Sequence, residues 1–532
     1  MQANLLDNLF RGVRRSVPLV GVTTSDPHAV ISLATKFITD EFKQRDDVEI
    51  GPIVQWDVMR GFTPLNEAGG AWILQNSASN DQQGEFAALD SQVGSLAEGD
   101  VVKFLELCNK LPDFSVVFFH NAHRWLVGDD NISKMACQGV SNLRNEFKSN
   151  HRMLVMLAPQ INYPAEVRPD IMAFDDPLPN QEELREIVRK GHRPRTQDKV
   201  TEIKITTEQE IRIAGTLAGL SNFAAEQAIA LALTSKGADI EKLRTLRRSV
   251  INQTPGLKVY AGKESFNDVA GVDYIKTFMK RLFNGKNPPN LIVHIDEIEK
   301  AMAGVEGDTS GTSQDQLGTL LQDMEDNNSR GLIAYGPPGC TKSMLCKTAG
   351  NTFGVDTIKL DLGATKGSLV GQSENQIRDA LKVINAMSGG NAYFIATSNK
   401  LSINSALMRR FTHGIVFFDL PDEKEQAEIW KVQIKAFGLD KKQSAKIPPA
   451  DGWSAAEIRN CCEIASSFNC TLLEAAIEII PVSASDPSAI SEPRAKAAGK
   501  FKSASHGGVY QPPKKDVKPS VPVGRGFTNL DD

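Results

Sequence analysis

Gly336-Pro337-Pro338-Gly339-Cys340-Thr341-Lys342-Ser343 carries residue types suited to holding a phosphate chain. Its glycines let backbone N–H groups turn toward an anion, Lys342 can reach the outer phosphates, and the Ser343 hydroxyl can ligate Mg²⁺. From Met344 the pattern continues as a helix whose positive N-terminus faces the same phosphates. Thr341 stands where such loops usually have glycine, and its Cβ crowds the approach of backbone to phosphate. A second constellation is Asp296-Glu297. Asp296 would hold Mg²⁺ through water, and Glu297 would orient and deprotonate an attacking water. An acidic pair after an apolar strand is commonly just a strand end. Beside a phosphate loop it reads as the other half of a nucleotide site.

Both constellations need strands to position them. Gly331-Leu332-Ile333-Ala334-Tyr335 leads into the loop, and Leu291-Ile292-Val293-His294-Ile295 leads into the acidic pair. Nucleotide hydrolases of this kind place the acidic strand after the phosphate loop; here it comes before. Residues 357–362 and 392–397 read as further strands, the second ending at Ser398-Asn399. Residues 314–326 and 373–387 read as helices, 414–418 as a strand, and 423–437 and 454–480 as a small helical lid.

Upstream, the runs at 17–22, 115–119 and 153–157 alternate with helical patterns, which predicts a parallel α/β sheet. The turn Thr23-Thr24-Ser25-Asp26-Pro27 lacks the glycines and lysine of a phosphate loop, and His120-Asn121 stands where an acidic pair would be. His120 and His123 have no third metal ligand nearby in sequence. Residues 181–254 are helical in period, with a basic face at Lys242, Arg244, Arg247 and Arg248. That face reads as solvated or as meeting an acidic or phosphate-bearing partner.

A length of 532 residues exceeds one core and predicts two to four domains. Charged residues at 23% and a net charge of −5 fit a soluble protein and give no global reason for nucleic-acid binding. Seven scattered cysteines without a C-x-x-C pair point to a reducing cytosol rather than to disulfides or zinc. The N-terminus does not read as a signal peptide, and no segment approaches a membrane span, so the expectation is a cytoplasmic protein.

With these motifs in place, residues 266–480 resemble an AAA+ ATPase. Glu264-Ser265-Phe266-Asn267-Asp268-Val269-Ala270-Gly271 and Lys300-Ala301-Met302-Ala303-Gly304-Val305-Glu306-Gly307 narrow the likeness. They resemble the chloroplast- and cyanobacteria-type AAA+ family, whose N-terminal RecA-like domain is non-catalytic. The resemblance implies a P-loop AAA+ module, its sheet in the order 5-1-4-3-2, with a helical lid. The domains would be a degenerate RecA-like α/β domain (1–180), a helical lid or linker (181–262), the large ATPase subdomain (263–420), the small lid (421–481) and a disordered tail (482–532). ATP and Mg²⁺ are the implied cofactors. Gly336, Pro337, Pro338, Gly339, Cys340, Thr341, Lys342, Ser343 and Met344 would bind nucleotide, with Ser343 and Asp296 at the metal. Glu297 would be the base and Asn399 would help to position water. Arg410 or Arg409 would be an arginine finger presented to a neighbouring subunit. Arg459 is either a lid arginine near the γ-phosphate or a surface charge. Leu369-Val370-Gly371 occupies the central-pore loop position. A homo-oligomeric, six-membered ring that remodels a protein client is the implied activity. A nucleotide-binding scaffold with little turnover and a nucleic-acid-handling motor are the alternatives.

Moving residues 290–329 to between Gly390 and Asn391 restores the family's order. A transposed block can still build the same sheet. Two crossings would each span one further strand, about 4.8 Å, and both can stay right-handed. Residues 327–331 can reach roughly 16 Å at about 3.3 Å per residue.

Overall fold

A computed structural model describes residues 2–45, 48–78, 96–160, 163–192, 195–196, 199–200, 203–234, 237–299, 312–363, 372–400 and 405–513. It forms two compact units, Met1–Leu243 and Arg244–Asp532.

The first unit is built on β1 (Leu19–Thr23), β2 (Ile53–Asp57), β3 (Gly61–Pro64), β4 (Val116–His120), β5 (Met153–Ala158) and β6 (Met172–Asp175). The sheet order is β3-β2-β4-β5-β1-β6, parallel except for the β2–β3 pair. Both faces are covered, which is why β4 and β5 are buried at every position and apolar at all of them but His120. Side chains alternate across β4. Val116 and Phe118 join a core with Phe10, Ile31 and Phe42, while Val117 and Phe119 join Trp56, Phe104 and Phe147. After β1, Asp26 Oδ1 accepts the Ala29 N–H at 3.1 Å, and the Thr24 hydroxyl donates to Asp176 at 2.8 Å. The turn equivalent to a phosphate loop thus uses these polar groups on the chain itself. His120 is hydrogen-bonded to Gln55 at 2.9 Å, and burial pulls its pKa down to about 4. Among the described residues no cluster of three metal-ligating side chains occurs.

Helices Gln181–Gly191, Thr207–Leu217, Asn222–Ala232 and Ile240–Ile251 follow, the first three with side-chain N-caps from Asn180, Thr206 and Ser221. Each cap satisfies backbone donors that the first helical turn leaves open. Two short hairpins, β7 (Arg195–Thr196) with β8 (Lys199–Val200) and β9 (Leu233–Thr234) with β10 (Gly237–Ala238), interrupt them. The boundary between the units falls inside the stretch expected as one linker, 181–262. Of the basic face, Arg247 is not solvated: it is buried and pairs with Asp356 at 2.9 Å.

The second unit contains β11 (Leu257–Val259), β12 (Leu291–Ile295), β13 (Arg330–Tyr335), β14 (Asp356–Leu360), β15 (Ala392–Ser398), β16 (Ile415–Phe417) and β17 (Lys502–Ser503). The sheet order is β11-β14-β12-β15-β13-β16-β17. Its five central strands are parallel and reproduce the expected 5-1-4-3-2 order, the acidic strand β12 lying between β14 and β15. Helix Thr312–Asp326 links β12 to β13, and helix Gln372–Ser388 links β14 to β15. The two helices touch, with Asn385 donating to Asp323 at 2.7 Å. The three junctions of the transposed block also meet. Asn290 N–H donates to the Asn391 carbonyl at 3.0 Å, Asn391 Nδ2 to the Pro288 carbonyl at 2.7 Å, and Arg330 to Asn391 Oδ1 at 2.8 Å.

The expected disordered tail, 482–532, is corrected over its first part. Helices Val482–Ser485 and Ser488–Ala497 form, and β17 adds to the sheet beside β16. Ile490, Pro493, Ala497, Ala504 and Tyr510 are buried. Arg494 and Tyr510 both bond to Asp419, Arg494 at 2.8 Å and Tyr510 at 2.6 Å. Average composition hid these few apolar anchors, and the open edge of β16 gives them a template. Among the described residues no single helix is long and apolar enough to cross a membrane.

Candidate active site

The phosphate loop joins the end of β13 to helix Lys342–Phe353. A Cβ on Gly336 would land on the Phe418 carbonyl oxygen, so glycine is required where the loop leaves the sheet. Thr341 adopts φ 59°, ψ 2°, the left-handed conformation that glycine would adopt at little cost. The backbone of the loop is therefore retained despite the substitution. Gly339 lies against the lid: its carbonyl accepts the Ala456 N–H at 3.2 Å, and a Cβ there would sit 2.6 Å from Ser454 Oγ. The Cys340 thiol is buried and its pKa is pushed up to about 12, so it stays protonated and is no nucleophile.

Lys342 is buried and donates to the carbonyls of Gly336 at 2.8 Å and Pro337 at 2.6 Å. Burial lowers its pKa, while Asp296, Glu297 and Glu299 among its neighbours pull the other way. The adjacent Ser343 hydroxyl donates to Asp296 Oδ1 at 3.2 Å. That contact joins the two constellations read separately in the sequence.

Asp296 sits at the C-terminal end of β12 and is held on both oxygens. Thr397 Oγ1 donates to Oδ1 at 2.9 Å, and the Lys359 ammonium lies 3.0 Å from Oδ2. Partial burial would raise the Asp296 pKa, but the hydrogen bond from Lys359, the nearby His294 and the Thr397 hydroxyl outweigh it and hold the carboxyl below its usual range. His294 is fully buried; its Nε2 is 3.6 Å from Asp296 Oδ1, and its Nδ1 shares a hydrogen bond with the Tyr260 hydroxyl at 2.9 Å. Burial lowers the His294 pKa to about 4, so the ring is neutral near pH 7.

Glu297 has φ 49°, a left-handed backbone that is costly for a residue with a side chain and is found where geometry is functional. Its N–H donates to Thr397 Oγ1 at 3.1 Å, so one hydroxyl fixes both acidic residues. Asn399 follows β15, and its N–H donates to Glu299 Oε1 at 3.0 Å. Glu299 Oε2 is buried with no hydrogen-bond partner among the described residues.

The loop, Lys342, Ser343, Asp296, Glu297 and Asn399 thus assemble at one end of the sheet. A hydroxyl beside an ionised carboxylate, with a lysine on the same loop, fits a magnesium nucleotide. Ser343 and Asp296 would hold the metal, and Lys342 with the loop N–H groups would hold phosphate.

The arginines lie differently. Arg410 pairs with Glu325 on helix Thr312–Asp326, and Arg409 is exposed. Arg459 lies on helix Ala455–Phe468, whose first turn touches the loop. Its guanidinium is exposed, 3.8 Å from Glu463 and over the Phe437 ring. Residues 300–307 and the pore-loop position Leu369-Val370-Gly371 lie outside the described residues. Sequence reading missed Lys359, Thr397, His294, Tyr260 and Glu299. Two signals were available: a lone lysine inside the strand Thr357-Ile358-Lys359-Leu360, and a histidine inside an apolar run.

A family model for the SpoVK-like AAA ATPase N-terminal domain matches residues 5–175, and a model for ATPases associated with various cellular activities (AAA) matches residues 332–392. The chain is similar to an uncharacterized AAA domain-containing protein, ycf46, of Trieres chinensis, 20% identical over 509 residues and covering 85% of this chain and 86% of that protein. The Pyropia yezoensis protein of the same name is 21% identical over 382 residues, 63% of this chain and 68% of its own length. The human ATPase family gene 2 protein homolog A is 23% identical over 183 residues, 26% of this chain and 20% of that protein.

Proposed function

Because the chain is an ATPase of the AAA family, we propose that it hydrolyses ATP at the Lys342–Asp296 site and couples turnover to remodelling a protein client. The 3.2 Å contact between Ser343 Oγ and Asp296 Oδ1 carries this reading. It brings cradle and carboxylate together although the strands bearing them are transposed in the chain.

Glu297 takes a proton from the water that attacks the γ-phosphorus, and the bond to the β,γ-bridging oxygen breaks to leave ADP and phosphate. Asn399 orients that water. Lys342 and the loop N–H groups neutralise charge that develops on the phosphate oxygens. Bound Mg²⁺ would supply Lewis-acid neutralisation of the phosphates. Arg410 or Arg409 completes the site from a neighbouring subunit, which is why activity requires a ring, of six subunits by family likeness. A finger of this kind contributes roughly 10³–10⁵ in rate. The compartment we propose is the cytoplasm.

Steady-state ATP hydrolysis by the full chain tests the reading. Lys342→Ala and Glu297→Gln should each reduce turnover by about 10² or more, with Glu297→Gln still binding nucleotide. Equal background rates in all three proteins would leave a nucleotide-binding scaffold.

A further inference from the structure

Asp296 carries one contact that its role in a nucleotide site does not require. Lys359 lies on β14 directly opposite His294 of β12 in the register. Its side chain is 27% exposed and its ammonium is 3.0 Å from Asp296 Oδ2. The other oxygen of the same carboxylate accepts from Ser343 and Thr397, both uncharged. Among the described residues Lys359 is the one lysine or arginine in direct contact with this carboxylate. Ser343 and Asp296 are also the pair that would hold a divalent ion. An ammonium on the carboxylate and a divalent cation beside it repel one another, and both draw on a single negative charge.

We infer that Lys359 is the counter-ion of Asp296 in the metal-free protein, and that a divalent cation must displace it to load the site. It is a specificity-determining residue: it sets how much Mg²⁺ is needed before nucleotide is held in the metal-bound form. The inference rests on the nucleotide-site reading above. The ion pair also keeps Asp296 ordered and charge-compensated beside Glu297 and Glu299 when no metal is bound. Charge on Lys359, rather than its shape, is the operative property. Arginine should substitute for it, and an apolar side chain of similar length should not.

The test is binding of a fluorescent ADP analogue, mant-ADP, to the full chain, titrated with MgCl₂ from EDTA-treated protein. Lys359→Met should lower the Mg²⁺ concentration for half-maximal binding by about tenfold, the order expected for removing a unit charge a few ångströms from a divalent ion at high effective dielectric. Lys359→Arg should keep the wild-type requirement. A melting curve in EDTA gives a second readout: Lys359→Met should melt lower than wild type, and saturating Mg²⁺ with mant-ADP should close the gap. An unchanged or raised Mg²⁺ midpoint in Lys359→Met, with the variant folded by circular dichroism, overturns the inference. If Lys359→Met does not fold, Lys359→Gln is judged by the same midpoint. Failure of the underlying reading looks different: wild type would then bind no mant-ADP at any Mg²⁺ concentration, or Lys342→Ala would bind it equally well.

Discussion

Thr341→Gly should make the protein more stable, against the usual direction of a substitution to glycine. Thr341 holds φ 59°, ψ 2° and makes no capping hydrogen bond to the helix that follows. The left-handed region costs an L-residue about 1–2 kcal/mol, and β-branching makes threonine a poor occupant of it. Glycine removes that cost but gives the unfolded chain more freedom, worth about 0.4–1 kcal/mol in the opposite sense. The difference is a net stabilisation of about 0.5–1 kcal/mol, or roughly 1–2 °C in melting temperature for a unit of this size. Nucleotide affinity should rise as well, since loss of the Cβ opens the approach of backbone N–H groups to phosphate. Urea unfolding and mant-ADP binding, measured beside Thr341→Ala, check both effects. Alanine keeps the Cβ and should lie between threonine and glycine. A glycine variant less stable than wild type by more than about 0.5 kcal/mol, or one that binds mant-ADP more weakly, would refute the strain argument.

Truncation after Pro481 should destabilise the second unit by at least about 2 kcal/mol, because the apolar burial contributed by Ile490, Ala497 and Tyr510 is removed and Asp419 loses its two side-chain partners, Arg494 and Tyr510; an unchanged melting temperature would show that the segment adds nothing. His294 is buried with its pKa lowered to about 4, so the unfolded chain binds the proton more readily than the fold. Its contribution is intact above its unfolded pKa of about 6.5 and declines as pH falls toward 4. At pH 5 wild type should have lost about 2 kcal/mol relative to pH 7 that a His294→Gln variant does not lose; parallel urea curves for the two proteins would contradict this. Moving residues 290–329 to between Gly390 and Asn391 should give a folded protein that still binds mant-ADP, since the three junctions already touch. Failure of that variant to fold or bind would mean that the order of this chain is not interchangeable with the family's.

The parts of the site legible in the sequence were the local ones. A glycine-rich loop with lysine and serine, or an acidic pair after an apolar run, carries its meaning within eight residues. The environment of Asp296 was not legible, because it depends on which strands flank β12 and in what register. Lys359 reaches Asp296 because β14 pairs with β12, and Thr397 does so because β15 lies on the other side. A shift of one residue in either pairing would send those side chains to the opposite face. The tail failed for a related reason. Its buried residues are few and spaced, and what orders them is the exposed edge of β16, a feature of tertiary structure.

The same distinction explains how a transposed block leaves the site whole. In a parallel sheet of this kind, ligands bind beyond the C-terminal ends of the strands, on the loops that leave them. The block begins just before β12 and ends just before β13, and its displaced position lies just before β15. All three junctions therefore fall at strand N-termini. Each strand keeps the loop that leaves its own C-terminal end: Asp296-Glu297 after β12, the phosphate loop after β13, Asn399 after β15. Helix Thr312–Asp326 travels with β12 and still packs on helix Gln372–Ser388. What changes is only which C-terminal helix feeds which strand N-terminus, across a region where Asn290, Arg330 and Asn391 share hydrogen bonds. Local chemistry and sheet order are preserved while the sequence separation of paired strands is redistributed. The expected consequence lies in the rate of folding, which follows that separation, rather than in the geometry of the nucleotide site.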